Sequence, residues 1–246
     1  MTAPYPPPPE ETAGTLLAGR VAYRQFVTGY RTGIEPVLLA ACIQARAEEA
    51  VLEAGTGAGA GLLCLAARLP LLRLAGLERD PALAGLAARN LALNSVPNAK
   101  IIIGDAEHPP FRRCFHHVMA NPPWHEEAAS ASPDGRRDAA KRARASLPAA
   151  WVDGLTACLL PRGSMSLIIS AAIVPTWMAA LERAGFGAIS LLPLWPRAGV
   201  PAKRAILSGI LGAGSPGSIL PGLVLHDGTG FTSAARAILE DGAAFG

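Results

Sequence analysis

The sequence predicts a doubly wound α/β domain built on a mostly parallel sheet of seven strands. Three observations predict it. From Ala50 onward, apolar runs of strand length alternate with helical patterns, the signature of βαβ units with helices on both faces of a sheet. The first of these strands opens directly into a glycine turn, Gly55-Thr56-Gly57-Ala58-Gly59, and then a helix. Glu53, Glu78 and Asp105 stand at the ends of successive strands, where open α/β sheets bind ligands.

The elements follow in chain order. Residues 1–14, with Pro4, Pro6, Pro7, Pro8 and Pro9, read as a disordered or polyproline tail, and residues 15–246 as one domain (an N-terminal segment 15–49 and a core 50–246). Residues 24–31 suit a strand or hairpin. A helix over 34–43 starts at Glu35-Pro36, since proline is welcome in the first helical turn, and Thr32 to Glu35 has capping-box spacing. That spacing suits a structural role for Glu35, which could equally face a cationic ligand.

The core reads as strand 51–54, helix 59–69, strand 74–78, helix 81–93, strand 100–103 and strand 115–120. Pattern then stops over 126–146, an Ala-, Ser- and Arg-rich stretch read as a functional or disordered loop. Helix 147–160, strand 165–170, helix 175–184, strand 188–193, strand 205–210 and an extended piece 220–226 follow. A last helix, 232–240, is capped by Thr232 or Ser233.

Composition bounds the class. Half of the 246 residues are hydrophobic, enough for a sizeable core, and 17% are charged. The longest uncharged run, 205–225, is broken by glycines and prolines, which argues against a membrane span. A net charge of +3 does not by itself announce a nucleic-acid binder. Cys42, Cys64, Cys114 and Cys158 form no CxxC pair and read as buried small hydrophobes in a reduced compartment. The five histidines show no zinc spacing, so no metal is expected. No signal pattern opens the chain, and a cytoplasmic monomer is the expectation.

The glycine turn carries the cofactor argument. Glycines let the backbone approach a ligand without Cβ clashes, and the helix behind presents free N–H groups. Gly55-x-Gly57-x-x-Ala60 satisfies a dinucleotide fingerprint, and Glu78, about twenty residues on, sits where an acid grips ribose hydroxyls. Both facts suit NAD or S-adenosylmethionine. Two others favour S-adenosylmethionine: Glu53 can meet a cationic amino-acid end, where a pyrophosphate would be repelled, and Asp105 with Ala106 can meet an adenine amino group.

Downstream stands Asn121-Pro122-Pro123-Trp124, after the apolar strand 115–120. Two prolines stiffen the backbone and withhold N–H donors. A rigid amide, an outward carbonyl and a flat ring make a clamp for a planar group bearing NH₂. A proline turn with Asn as its opener is the plainer alternative, and the strand-end acids favour the clamp.

These residues resemble those of the class I S-adenosylmethionine-dependent methyltransferases. The resemblance implies an antiparallel last strand and a cofactor site formed by Glu53, Gly55, Thr56, Gly57, Gly59, Glu78, Asp105 and Ala106 with Asn121. It makes Asn121, Pro122, Pro123 and Trp124 the (N/D)-PP-(Y/F/W) motif of enzymes that methylate amino nitrogens. A narrower resemblance, to bacterial tRNA(Val) adenine-N(6) methyltransferases, rests on residues 30–40 (YRTGIEPVLLA), 132–140 (SPDGRRDAA) and 223–239. It brings Glu35, where the family usually has Asp, into the cofactor site. It implies tRNA as partner, with adenine-N(6) as the atom methylated.

Arg136, Arg137, Lys141, Arg142 and Arg144 form the densest basic run. It is read as a phosphate-contacting loop or a solvated face. Competing readings are methylation of a glutamine amide or an rRNA guanine, a nicotinamide-dependent oxidoreductase, and a non-catalytic RNA-binding module.

Overall fold

The computed structural model describes residues 10–29, 31–123 and 136–245; the side chains of residues 136–145 fall outside that description. The chain opens with an antiparallel hairpin, β1 (Glu11–Leu16) and β2 (Val21–Phe26). Helix α1 (Glu35–Cys42) leads to β3 (Ala50–Ala54), α2 (Ala60–Arg68), β4 (Arg73–Glu78), α3 (Pro81–Leu93), β5 (Ala99–Ile103) and β6 (Phe115–Ala120). Then come α4 (Arg136–Thr156), β7 (Leu159–Ser170), α5 (Val174–Arg183), β8 (Phe186–Trp195) and β9 (Arg204–Leu211). Four two-residue strands, β10 (Ser218–Ile219), β11 (Leu223–Val224), β12 (His226–Asp227) and β13 (Gly230–Phe231), precede α6 (Ser233–Leu239).

The seven expected strands form one sheet in the order β8-β9-β7-β6-β3-β4-β5, and β10 and β11 extend its edge alongside β8. Only β9 runs against its neighbours in that sheet, as an antiparallel last strand requires. The order reverses at β3, which lies between β4 and β6, so the crevice of the doubly wound fold opens above β3.

Alternation along the inner strands builds two cores. Val51, Met119, Ile168 and Ile206 pack with α1, α2 and α6. Leu52, Val118, Leu167 and Leu207 pack on the other face with Trp151 of α4 and Trp177 of α5. A strand buried on both faces reads as a continuous apolar run rather than as alternation.

Several boundaries differ from expectation. Glu11–Leu16 is a strand, so the tail cannot extend to residue 14; its proline-rich part, residues 1–9, lies outside the described residues. The expected loop 126–146 is helical from Arg136. Its Ala-, Arg- and Lys-rich sequence lacks an apolar stripe, yet these are strong helix formers. The expected helix 147–160 therefore starts earlier and ends at Thr156, and β7 starts at Leu159 rather than at 165. The β6 register jumps from Phe115↔Leu159 to His117↔Ser164, and the extra residues between hid the strand's alternation.

The α1 capping box does not form. The Thr32 hydroxyl shares a 2.7 Å hydrogen bond with Tyr23, and the α1 N-cap position, Ile34, offers no side-chain cap. Thr232 does cap α6, accepting from the Ala235 N–H at 3.1 Å. Cys64 and Cys158 are buried as expected and Cys42 is half-buried, but Cys114 is exposed. Burial pushes the Cys42, Cys64 and Cys158 thiols up to about 12, which keeps them protonated. Among the described residues no helix is long and apolar enough to cross a membrane, and no cluster of metal-ligating side chains occurs.

Candidate active site

The parallel register sets one row of residues at the carboxyl ends of the strands. Ala54 pairs with both Ala120 and Leu77, and Glu78 pairs with Ile103. Asn121, Gly55, Glu78 and Ile103 therefore lie side by side across β6, β3, β4 and β5, with Gly104 and Asp105 directly after Ile103. Three inter-strand steps make the row about 14 Å long.

The glycine turn forms because its backbone must curl away from β3 while still bonding β4. The N–H groups of Gly55 and Thr56 both donate to the Leu77 carbonyl, at 2.8 and 3.1 Å. Gly57 has φ +56°, and a Cβ there would meet nothing within 4 Å. Packing therefore does not demand this glycine. Its left-handed backbone does, and the open space beside it leaves room for a ligand to approach.

Glu53 is 4% exposed and holds the turn from beneath. Its Oε2 accepts from the Thr56 hydroxyl at 2.5 Å and from the Leu62 N–H at 3.1 Å, one of the otherwise unpaired donors in the first turn of α2. Its Oε1 lies against Gly61, where a Cβ would collide with it. Burial raises the carboxyl to about 7; the Thr56 and Leu62 hydrogen bonds pull the other way, and the nearby Glu78 charge adds to the rise. A cationic ligand beside it would favour the ionised carboxylate.

Glu78 is 8% exposed. Its two oxygens accept the Gly57 and Asp80 N–H groups, each at 2.9 Å. A carboxylate has about four acceptor positions, so capacity for ribose hydroxyls remains. Asp105 Oδ1 accepts the Glu107 N–H at 2.9 Å, which fixes its turn, and Ala106 behind it is buried.

Asn121 differs from all of these. Its Oδ1 is buried and has no hydrogen-bond partner among the described residues. Pro122 behind it is buried and Pro123 is exposed. Trp124 lies outside the described residues, as do the side chains of Arg136, Arg137, Lys141 and Arg142. The backbone of those four forms the first turns of α4.

Glu35 comes to the carboxyl end of the sheet from α1 rather than from a strand. It stands in the first turn of α1 with its Oε1 2.7 Å from Arg204 Nε, at the start of β9. The contact pairs opposite charges. Arg204 pairs with Ser170, so this contact joins the N-terminal segment to the other half of the sheet. A cleft of about 470 Å³ between Arg113, Arg162, Gly185 and Gly212 lies at the opposite end of the sheet and shares no residue with the row.

Sequence reasoning missed Asn90, a fully buried residue that bonds the Ala58 carbonyl of the turn. Its signal was an asparagine inside a helix, which asparagine does not favour, with a second, Asn94, one turn on at the helix C-cap.

The row has the chemistry of a site for a cationic, adenosine-bearing cofactor: a buried acid under a glycine turn, then an acid on each of the next two strands. Comparisons with known proteins agree. The methyltransferase small domain family matches residues 34–147, which hold the glycine turn, the three acids and Asn121 to Pro123. A predicted O-methyltransferase, Atu636 from Agrobacterium tumefaciens, superposes with a TM-score of 0.72 at 24% identity, over 85% of this chain and 97% of that one. TYW2 of M. jannaschii, solved in complex with AdoMet, superposes with a TM-score of 0.57 at 14% identity, over 82% and 85%. The fold and these comparisons support an S-adenosylmethionine-dependent methyltransferase with a class I fold. In sequence it is similar to the tRNA1(Val) (adenine(37)-N6)-methyltransferase of Shewanella baltica, 26% identical over 184 residues, 72% of this chain and 76% of that protein.

Proposed function

We propose that this methyltransferase acts on an exocyclic amino nitrogen, that of adenine N6 in a tRNA. The observation that carries this reading is the buried Oδ1 of Asn121 at the carboxyl end of β6, which has no partner among the described residues. A buried acceptor without a donor costs about 1–3 kcal/mol, and an amino group entering the site would recover that cost.

The residues divide the work. Glu53, the turn Gly55-Thr56-Gly57-Ala58-Gly59, Glu78 and Asp105 with Ala106 would hold S-adenosylmethionine. Bound there, the cofactor supplies an electrophilic methyl group on a sulfonium. An exocyclic amino nitrogen is a poor nucleophile because its lone pair is delocalised into the ring. Asn121 Oδ1 accepts one of its N–H bonds and the Pro122 carbonyl the other, which draws the nitrogen toward tetrahedral geometry and localises the lone pair. This is orientation and electrostatic stabilisation by preset acceptors, without a covalent enzyme intermediate. Stiffness from Pro122 and Pro123 keeps both acceptors in place. Trp124 stacks the base, a contact worth about 1–3 kcal/mol in single-strand binders. An adenine within a folded RNA is splayed out to reach the clamp.

Arg136, Arg137, Lys141, Arg142 and Arg144 meet RNA phosphates from the start of α4. Replacing Arg136 and Arg137 together with Ala lowers the salt slope of tRNA binding by about 1.4, at about 0.7 per phosphate contact. An unchanged slope assigns the run to a solvated helix face.

Support for tRNA adenine, rather than a glutamine amide or a guanine amino group, comes from the Shewanella baltica relative's activity. The test is mass spectrometry of nucleosides from the tRNA of a deletion strain. N(6)-methyladenosine is expected to disappear from one tRNA and to return on complementation. Unchanged tRNA nucleosides would contradict the reading.

A further inference from the structure

We infer that Asn90 is a positioning residue for the cofactor turn, and that through it the N-terminal hairpin helps to set the turn's shape. Asn90 is 0% exposed, and its side-chain amide bonds three backbone groups. Oδ1 accepts the Arg24 N–H at 3.0 Å, while Nδ2 donates to the Arg24 carbonyl at 2.8 Å and to the Ala58 carbonyl at 2.9 Å.

Asn94 repeats the first part of this arrangement one helical turn on. Its Oδ1 accepts the Ala22 N–H at 2.9 Å, and its Nδ2 donates to the Ala22 carbonyl at 2.7 Å and to the Asn90 carbonyl at 2.8 Å. Four residues on a helix advance about 6 Å. Two residues on a strand advance about 6.6 Å. Two carboxamides on α3 can therefore meet Ala22 and Arg24 in step, as a neighbouring strand would. The outer edge of β2, which would otherwise need another backbone partner, is paired by a helix.

The two asparagines differ in one respect. Asn94 holds only the hairpin and its own helix. Asn90 also holds Ala58, between Gly57, whose N–H is fixed by Glu78, and Gly59, whose N–H bonds the Thr56 carbonyl at 2.9 Å. The hairpin precedes the residues matched by the methyltransferase family, whereas the turn lies within them. Asn90 thus joins the hairpin to the cofactor turn through a single side chain.

Asn94 supplies the control. Asn94→Ala removes the bonds to Ala22 and to the Asn90 carbonyl and none to the turn; Asn90→Asp keeps the acceptor for the Arg24 N–H but removes the donor to both the Arg24 and the Ala58 carbonyls. Hydrogen exchange of the cofactor-free protein is the first readout. We expect N90D and N90A to speed exchange of the Gly57 and Gly59 amides by about tenfold or more, the effect of losing one buried hydrogen bond. N94A is expected to speed exchange at Ala22 and to leave the turn unchanged. S-adenosylhomocysteine affinity by calorimetry should fall about tenfold in N90D and less than about twofold in N94A. kcat at saturating cofactor should stay within about threefold of wild type, so the loss appears in KM for the cofactor.

Turn exchange and affinity in N90D equal to wild type, or matched by N94A, would overturn the inference and assign both asparagines to hairpin docking. Should N90A fail to fold, the comparison of N90D with N94A decides. Hydrogen exchange and calorimetry need no methyl acceptor; only kcat and KM do. The inference rests on the cofactor site and stands or falls separately from the assignment of adenine as substrate.

Discussion

The two ends of the row are built differently. At the cofactor end each acid is already committed to the protein: Glu53 to Thr56 and Leu62, Glu78 to Gly57 and Asp80, and Asp105 to Glu107. At the other end Asn121 presents a buried oxygen committed to nothing described. The first arrangement shapes a site before the ligand arrives, at low strain. The second leaves an acceptor whose partner must come from outside. Cofactor binding should therefore depend on many shared contacts, and turnover on one.

Substitutions can break or sharpen that contrast. The largest expected effect is at Asn121. Asn121→Ala should lower kcat by about 10³-fold, the scale of losing one preorganised transition-state contact, and leave S-adenosylmethionine affinity within about twofold by calorimetry. A parallel loss of cofactor affinity would make the two ends one unit.

Glu53 comes next, through pH. Its folded-state value is about 7 against an ordinary 4.5. Because the folded value is raised, the stabilisation it contributes is fully present below pH 4.5 and is lost as pH rises through about 7. Wild type should lose about 3 kcal/mol across that window from this group, at about 1.4 kcal/mol per pH unit. Denaturant titrations of Glu53→Gln should show a flatter profile. Cofactor affinity should rise through the same window in wild type, because the ionised carboxylate pairs better with a cationic ligand, and stay level in the variant.

Gly57→Ala should cost the fold about 1–2 kcal/mol from its left-handed backbone, measured by unfolding. Its Cβ would also stand in the open approach to the turn, so cofactor affinity should fall by at least tenfold, beyond what stability explains. Thr232→Ala is the smallest change: loss of the α6 cap should cost about 1 kcal/mol of stability and alter neither cofactor affinity nor kcat.

Much of this architecture was legible in the sequence because parallel strands and their turns are local signals. The glycine turn, the three acids and Asn121 sit next to the strands that place them, and register does the rest. What was not legible depended on contacts far apart in the chain. Thr32 and Glu35 have the spacing of a capping box, yet Tyr23 and Arg204 take them. Asn90 finds its partners in β2 and Ala58, 66 and 32 residues away in the chain. The start of α4 was hidden because a helix with no apolar stripe has no periodicity to read. The bulge after Leu159 hid the first half of β7 for the same reason.

The most direct test of the Asn121 clamp follows isotopically labelled methyl groups from S-adenosylmethionine into tRNA, read by nucleoside mass spectrometry, with wild type and Asn121→Ala side by side. The account predicts label on the amino nitrogen of adenosine with wild type, and none above background with a variant that still binds cofactor. Label on a ring carbon or a ribose oxygen, or near-normal transfer by Asn121→Ala, would contradict it.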